Sequence, residues 1–307
     1  MVTKAEKIGF VVVGLVVILA FIFWKDVMPF SGVSEVAKVK GDEGKKNKNE
    51  GKQAKDANII SEVTIVQKWD LPSDLKEVSG IAYIDEQRFA CIQDEEGKIF
   101  IYNTTSGEIE KQIPFGAQGD YEGITTKGNT AYVVRADGML YEVDMNSTKK
   151  SAQEYKTSLT VEQDIEGLCY DKNNDRLLLS IKGDEPGKPG YKGIYAFDLA
   201  KKSFIKEPVF KIDLDHEVLN TNQAKNNKTF MPSSIGINPA TTDILITDGA
   251  KATLLAMDNS GDIKKLYHLG KNFAQPEGIT FSPQGEIFIS NEGSKQPGNI
   301  IKVELKE

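Results

Sequence analysis

Three glutamates stand out because each occupies the same place in a short recurring motif. Glu122, Glu166 and Glu277 each precede Gly-Ile or Gly-Leu, and two further copies of the motif carry Ser79 and Ser233 at that place. Carboxylates that converge from distant parts of a chain repel one another, so keeping them ionised requires a cation or a basic partner. Hard oxygen ligands of this kind suit Ca²⁺ better than Zn²⁺. The three glutamates are therefore candidate ligands of a calcium ion.

Two other interpretations of these glutamates stay open at this point. Each carboxylate could accept hydrogen bonds from backbone N–H groups of a neighbouring repeat and so tie the repeats together, or it could contact a ligand directly. The glycine that follows each glutamate also has a structural explanation, because close approach of two backbones near a crowded axis favours a residue without Cβ.

The motif is a tetrad whose five copies divide the chain into repeats. The copies occupy residues 78–81, 121–124, 165–168, 232–235 and 276–279. Their third positions are 80, 123, 167, 234 and 278, so successive copies are 43, 44, 67 and 44 residues apart. A period of about 40 to 45 residues is typical of the four-stranded blades of a β-propeller. The interval of 67 is then one period plus an insertion.

Short apolar runs separated by polar turns follow each tetrad, which is the pattern of an all-β protein. The last repeat is one strand short when the chain ends, and residues 63–69, upstream of the first tetrad, form a strand-like run without a repeat of their own. Pairing this run with the last blade would close a ring and remove two exposed sheet edges. We therefore predict a five-bladed β-propeller over residues 60–307. A six-bladed ring is the alternative, if the insertion of the third repeat holds a degenerate blade.

Polar residues follow the second strand of each blade, and in an antiparallel meander these loops lie on the same face as the tetrads. We therefore predict a ligand-binding mouth on that face, beside the three glutamates. Its ligand-binding residues are Ser79, Asp94, Arg135, Lys182, Ser233, Asp248, Asn291 and Glu292.

Two functions suit such a mouth. In a calcium-dependent hydrolase of phosphoesters or lactones, the metal would act as a Lewis acid while Arg135 and Lys182 receive the anionic group. However, the chain has no Gly-x-Ser-x-Gly elbow and no phosphate-binding Walker loop, and its two histidines, His216 and His268, lie outside the predicted mouth. Catalytic residues therefore cannot be named, and a binding or interaction module is favoured over the hydrolase.

The amino terminus predicts a membrane anchor. Residues 8–24 are seventeen uncharged residues flanked by Lys7 and Lys25, close to the minimum length that crosses a bilayer at a rise of about 1.5 Å per residue. The run ends in Phe-Ile-Phe-Trp and lacks a small-x-small cleavage site, which favours an uncleaved anchor over a signal peptide. We expect a cytoplasmic head (1–7), a single-pass anchor in the cell inner membrane (8–24) and a flexible lysine-rich linker (25–59). The propeller would face the periplasm or the exterior.

Charge and cysteine usage limit the partners. Residues 59–307 carry 28 basic and 38 acidic side chains, a net charge of −10, which repels nucleic acid. The expected partners are the membrane and an unidentified small molecule or envelope protein. Cys91 and Cys169 lie in apolar runs of different repeats, so we expect two buried free thiols.

Several of these motifs resemble a known family. The Glu-Gly-Ile and Ser-Gly-Ile tetrads, the Gln93-Asp94-Glu95 loop and the Pro-Glu-Gly-Ile-Thr-Phe of the last repeat look like the SdiA-regulated family, which includes the YjiK-like membrane-associated proteins. The resemblance covers about residues 62–305 and implies an envelope-associated bacterial β-propeller with no established reaction. The chain is more distantly similar to calcium-dependent lactonase-like and phytase-like propellers, which would give the three glutamates a metal role. Two departures from those propellers are the serines in two tetrads and the lack of a counterpart to the lactonase histidine.

Overall fold

The structure is a computed structural model that describes residues 62–147, 151–188, 190–219 and 230–306. The chain divides into two units, Met1–Ala57 and Asn58–Glu307, and every described residue belongs to the second. Within these ranges, no helix is long and apolar enough to cross a membrane. The predicted head (1–7), anchor (8–24) and linker (25–59) all lie outside the described residues.

The described residues form five antiparallel sheets of four strands each. Strand β1 (Val63–Asp70) and a short 3₁₀ helix (Ser73–Leu75) precede the first complete blade. Blade one comprises β2 (Val78–Asp85), β3 (Arg88–Gln93), β4 (Glu96–Asn103) and β5 (Glu108–Gln118). Blade two comprises β6 (Tyr121–Lys127), β7 (Thr130–Arg135), β8 (Met139–Asp144) and β9 (Gln153–Lys156).

The remaining blades repeat this order. Blade three comprises β10 (Ile165–Asp171), β11 (Arg176–Ile181), β12 (Tyr191–Asp198) and β13 (Ser203–Asp213). Blade four comprises β14 (Pro232–Ile237), β15 (Ile244–Asp248), β16 (Thr253–Met257) and β17 (Ile263–His268). Blade five takes β18 (Pro276–Phe281), β19 (Ile287–Asn291) and β20 (Asn299–Leu305) from the end of the chain.

Strand β1 completes blade five, as the count of strands predicts. It pairs with β20 in antiparallel register, from Val63 opposite Leu305 to Asp70 opposite Asn299. Aromatic packing holds this blade against blade one, because the ring of Phe89 in blade one lies 5.0 Å from that of Phe288 and 6.4 Å from that of Trp69 between centroids. The five-bladed prediction is confirmed, and the described part of the third-repeat insertion adds no sheet.

The first strand of every blade lies innermost, and these five strands contact one another in a ring around a central channel. At the third tetrad position the backbones nearly touch: a Cβ added to Gly80 would lie 3.2 Å from the backbone nitrogen of Ile124 in the next blade. In blade four, where this position is Ser234, its Oγ accepts a hydrogen bond from the backbone N–H of Ile279 at 3.2 Å. Close approach thus accounts for the tetrad glycines, as expected.

Every inner strand carries a β-bulge at the second tetrad position. In β6, Tyr121 pairs with Arg135 and Gly123 with Val134, so Glu122 has no partner in β7. The same register shift occurs in β2, β10, β14 and β18. A bulge bends the strand and redirects the side chain of the extra residue. The five bulges therefore set apart the residues that the sequence singles out as candidate ligands.

The core lies between the blades and is built mainly of buried Ile, Val, Leu and aromatic side chains from the inner three strands, with a few from the outermost strands, such as Ile113 and Tyr267. Cys91 is fully buried in this core and Cys169 is 6% exposed, and both are free thiols, which confirms the expectation for them.

Candidate functional site: an acidic mouth of the channel

A small polar cavity lies at the end of the channel where the inner strands begin. Its volume is about 100 Å³, and we call it the acidic mouth. Its lining includes six carboxyl groups and one ammonium group. The polar residues that line it are Glu77, Ser79, Asp94, Glu122, Glu166, Lys182, Gln275, Glu277 and Glu292.

Two sets of elements position these side chains. The bulges of β6, β10 and β18 supply Glu122, Glu166 and Glu277. The residues that directly follow the second strands of blades one, three and five supply Asp94, Lys182 and Glu292. The meander brings both sets to one face, as the strand order predicts.

Lys182 provides the positive charge in the mouth. Its Nζ lies 2.8 Å from Oε1 of Glu166, whose side chain is buried. A second lysine secures the backbone at this point: the Nζ of Lys192, only 2% exposed, donates hydrogen bonds to the carbonyl oxygens of Lys182 at 2.8 Å and Gly183 at 2.6 Å. The ammonium of Lys182 is therefore presented to the carboxylates from a firmly held loop.

Burial shifts the titration of the mouth carboxyl groups. It raises the pKa of Glu277 to about 8, and the charge of Glu166 adds to this effect. Burial is also the largest cause of the raised pKa of Glu122, followed by the charge of Glu166. The pKa of Glu166 is raised by burial although Lys182 opposes the shift. These carboxyl groups hold protons more tightly than exposed acids because the single lysine does not offset their burial.

The rim of the mouth continues this pattern. Burial raises the pKa of Asp94 and of Glu292, and neighbouring acids reinforce both shifts. Oδ1 of Asp94 is buried and has no hydrogen-bond partner within the described residues. The rim thus offers further oxygen acceptors to a positively charged group.

The serines of the tetrads have a different role from the glutamates. Ser79 Oγ donates a hydrogen bond to the carbonyl oxygen of Tyr121, and Ser233 Oγ donates one to that of Pro276, each at 2.6 Å. Both bonds join one bulge to the first tetrad residue of the next blade. Over the described ranges, no backbone N–H donates to any of the three glutamates, so the serines provide the blade-to-blade bonding that was one interpretation of the glutamates.

Four residues predicted for the mouth are not in the lining of this cavity. Ser233 is buried, and its hydroxyl donates a hydrogen bond to the next blade. The guanidinium of Arg135 binds Asp137 at 2.6 Å and the hydroxyl of Tyr141 at 3.0 Å. Asp248 and Asn291 also bond to other residues. Asp248 accepts hydrogen bonds from backbone N–H groups of the loops around it, and the Asn291 side chain donates one to Asn299. The structure does bring together Ser79, Asp94, Lys182 and Glu292 with the three glutamates.

Two residues of the mouth, Glu77 and Gln275, are absent from the predicted set. Both directly precede a tetrad. Asp120 and Asp164 hold the same place before the second and third tetrads, and Asp120 contributes to the raised pKa of Glu122. An acid or amide directly before the tetrad was the signal that could have identified this layer.

The donor set can be tested against a metal ion. In the part of the chain that the structure describes, no group of three or more His, Cys, Asp or Glu side chains is arranged to hold one. The ammonium of Lys182 stands among the glutamates and pairs with Glu166. As placed, these residues surround the ammonium of Lys182 and do not form a calcium coordination shell. The calcium site stays a prediction that requires the carboxylates to move.

A comparison with protein families shows to which family the chain belongs. Residues 62–295, which include all five tetrads and the whole acidic mouth, match the family described as SdiA-regulated. The chain belongs to the SdiA-regulated family. No curated protein sequence matches this SdiA-regulated protein.

Solved structures of other proteins have folds similar to that of this SdiA-regulated protein. The fold is similar to that of Myxococcus xanthus glutaminyl cyclase, with a TM-score of 0.55 and 15% identity over 80% of this chain and 96% of that chain. It is also similar to the PQQ-bound form of the Streptomyces coelicolor aldose sugar dehydrogenase, with a TM-score of 0.51 and 10% identity over 80% and 98% of the two chains. At these identities the likeness is one of fold alone.

Proposed function

We propose that this protein is a membrane-tethered, non-enzymatic binding module whose acidic mouth binds a small organic cation through a protonated amine. The observation that carries the proposal is the gathering of six carboxyl groups around one ammonium group in a single cavity. The ion pair between Lys182 and Glu166 demonstrates the kind of contact that the site can make.

The charge balance of the mouth supports a cationic ligand. With one lysine for six acids, Glu122 and Glu277 are left without a positively charged partner at salt-bridge distance among the described residues. Their raised pKa values reflect that shortage. An added ammonium group would favour the ionised carboxylates, so its binding would be accompanied by proton release. A cavity of about 100 Å³ accepts an amine head group and leaves the rest of a larger ligand outside.

A calcium ion is the second candidate occupant. It is favoured by the convergence of Glu122, Glu166 and Glu277, which supply hard oxygen ligands from three blades. It would have to displace Lys182 from Glu166. The hydrolase alternative, for phosphoesters or lactones, is weaker because Arg135, one of the two residues proposed to receive an anion, is bound to Asp137 and Tyr141.

Binding to the mouth can be tested by thermal unfolding of the full chain in methylammonium, 1,4-diaminobutane or calcium chloride. We expect the diamine to raise the melting temperature, since a ligand that binds the folded state stabilises it. Glu277→Gln should abolish the rise, whereas Glu108→Gln, at an exposed position of β5, should leave it unchanged.

The outcomes distinguish the occupants. A rise with calcium that Glu166→Gln removes, without any rise in the amines, would replace the amine with a structural or catalytic metal. If none of the three compounds changes the melting temperature, the acidic mouth is not a cation site.

The location of the propeller is also a proposal. The uncharged run at 8–24, its basic flanks and the lysine-rich stretch at 25–59 support an inner-membrane anchor with a flexible tether. The propeller would then face the periplasm or the exterior and present its mouth to small molecules or envelope proteins. A compartment-sensitive reporter fused to the carboxyl terminus tests the topology, because a signal from the cytoplasm would reverse it.

A further inference from the structure

The opposite end of the channel holds a second cavity, which shares no lining residue with the acidic mouth. Its volume is about 400 Å³, and we call it the apolar funnel. Half-buried side chains at the ends of the inner strands form its wall. The principal ones are Tyr83, Ile84, Thr126, Tyr170, Ile237 and Phe281.

A layer of buried aliphatic side chains separates the two cavities. The fourth tetrad residues Ile81, Ile124, Leu168 and Ile279 are 2 to 4% exposed and line the inner end of the funnel. The tetrad glutamates and Ser79 lie two residues earlier on the same strands, in the lining of the mouth. The inner strands of blades one, two, three and five thus contribute to both ends of the channel, whereas β14 contributes only to the funnel.

The shape and lining of the funnel suit a small molecule that has both apolar and polar parts. Cavities of several hundred Å³ with mostly apolar walls and a few polar groups are typical of small-molecule sites. Two polar groups of this wall are already engaged: the Oγ1 atoms of Thr280 and Thr125 accept hydrogen bonds from the backbone N–H groups of Tyr83 and Tyr170, at 3.0 and 3.1 Å. The side chains of Tyr83, Ile237 and Phe281 add aromatic and aliphatic carbon to this wall, and polar groups are exposed beside them. A body of about 15 to 20 non-hydrogen atoms would match this volume.

A single charged residue, Lys172, lines the funnel. Its side chain is exposed, in the turn between β10 and β11, and it forms no ion pair within the described ranges. The acids of the same turn are engaged, since Asp171 binds Arg176 at 2.8 Å and Asp175 binds Lys127. The rim therefore offers an uncompensated positive charge beside an apolar wall, in a domain that is strongly acidic as a whole.

We propose that the apolar funnel binds a small amphipathic carboxylate, with its ring or short alkyl chain against Tyr83, Tyr170 and Phe281 and its carboxylate at Lys172. Lys172 favours an anionic head over a neutral or cationic one. The three aromatic side chains favour an organic anion with a ring or alkyl chain over inorganic phosphate. This site is independent of the cation site proposed for the acidic mouth.

Equilibrium dialysis of the full chain against naphthalene-2-carboxylate tests the proposal. We expect saturable binding of one molecule per chain. Lys172→Gln should weaken it about three- to fivefold, the effect of an exposed ion pair, without changing the binding of the neutral naphthalene-2-methanol. Lys271→Gln, at an exposed lysine away from the funnel, is the matched control.

A cavity-filling variant provides the second measurement. Thr126→Trp should abolish the binding of both compounds while its melting temperature shows a folded protein. Uptake by Thr126→Trp equal to that of the parent chain would show adsorption elsewhere and overturn the proposal. Lys172 sits in an exposed turn, so Lys172→Gln remains informative even if Thr126→Trp does not fold. An equal loss of the carboxylate and the alcohol in Lys172→Gln would refute the role of the charge.

Discussion

Glu277 shows how a single buried carboxyl group can link pH to the stability of the fold. Its pKa is about 8 in the folded protein against an ordinary value of 4.5. Between these two values the unfolded chain is ionised at this residue while the folded chain holds the proton. Stability therefore falls as the pH rises through this window, and the loss is complete above it. The sign is the reverse of that for a carboxylate in a salt bridge.

Replacement of Glu277 by Gln should therefore stabilise the protein in a pH-dependent way. At pH 8, we expect Glu277→Gln to increase the free energy of unfolding by about 2 kcal/mol, because the amide avoids the cost of burying a charge. At pH 4, where both states of the parent are protonated, the gain should vanish. Urea unfolding at the two pH values measures this, with the exposed Glu108→Gln as a control that shows no such difference. An equal gain at both pH values would assign the effect to packing.

At this scale, the sequence indicated the glutamates because they share a place in a repeat. It could not show that Lys182 pairs with Glu166, or that Arg135 is held by Asp137 and Tyr141. Both facts depend on side-chain directions at the ends of strands. The type and spacing of residues do not determine those directions.

At the scale of the strand, the bulge explains how one tetrad position can carry either a ligand-like or a structural residue. The second residue has no partner in the ladder, so its side chain is free of the sheet pattern. Where it is serine, it bonds to the next blade, and where it is glutamate, it lines the mouth. Strand periodicity predicted the inner strands, but a bulge depends on the register with the neighbouring strand, which one strand's sequence does not specify.

Removal of the inter-blade serine bonds should weaken the ring. We expect Ser79→Ala and Ser233→Ala each to lower the free energy of unfolding by about 1 to 2 kcal/mol, because a buried carbonyl oxygen loses its donor. Ser203→Ala, at an exposed position at the start of β13, should change stability by less than about 0.5 kcal/mol. Urea unfolding curves compare the three variants. Variants as stable as the parent would show that the inner strands do not depend on these bonds.

At the scale of the whole molecule, the ring is closed by the pairing of the first strand with the last. The count of strands in the repeats predicted this closure. The last blade lacks one strand and the run at 63–69 has no blade of its own, so few other arrangements are left. The same counting does not reach residues 8–24, the predicted anchor, because they precede the repeats.

Deletion of β1 should be far more damaging than deletion of the preceding segment. We expect a chain lacking residues 1–58 to unfold cooperatively at a temperature close to that of the full chain. A chain lacking residues 1–70 should aggregate or unfold at a much lower temperature, because β20 becomes an open edge and Trp69 leaves its contact with Phe288. Calorimetry of the two truncations measures the difference. Similar melting temperatures would contradict closure by β1 as a source of stability.

The pairing of β1 with β20 also has a consequence for biosynthesis. Among the strands of the ring, β1 is synthesised first and β20 last. Strand β1 therefore stays unpaired until β20 has been made, because Val63 pairs with Leu305. Four blades can form as the chain emerges, whereas the fifth cannot be completed until β20 has been made. Until that moment β1 is an exposed strand with unsatisfied backbone groups, and a stalled or prematurely ended chain keeps it in that state. The ring thus makes synthesis of β20 a condition for a protected β1, and products truncated before β20 are expected substrates for chaperones and proteases.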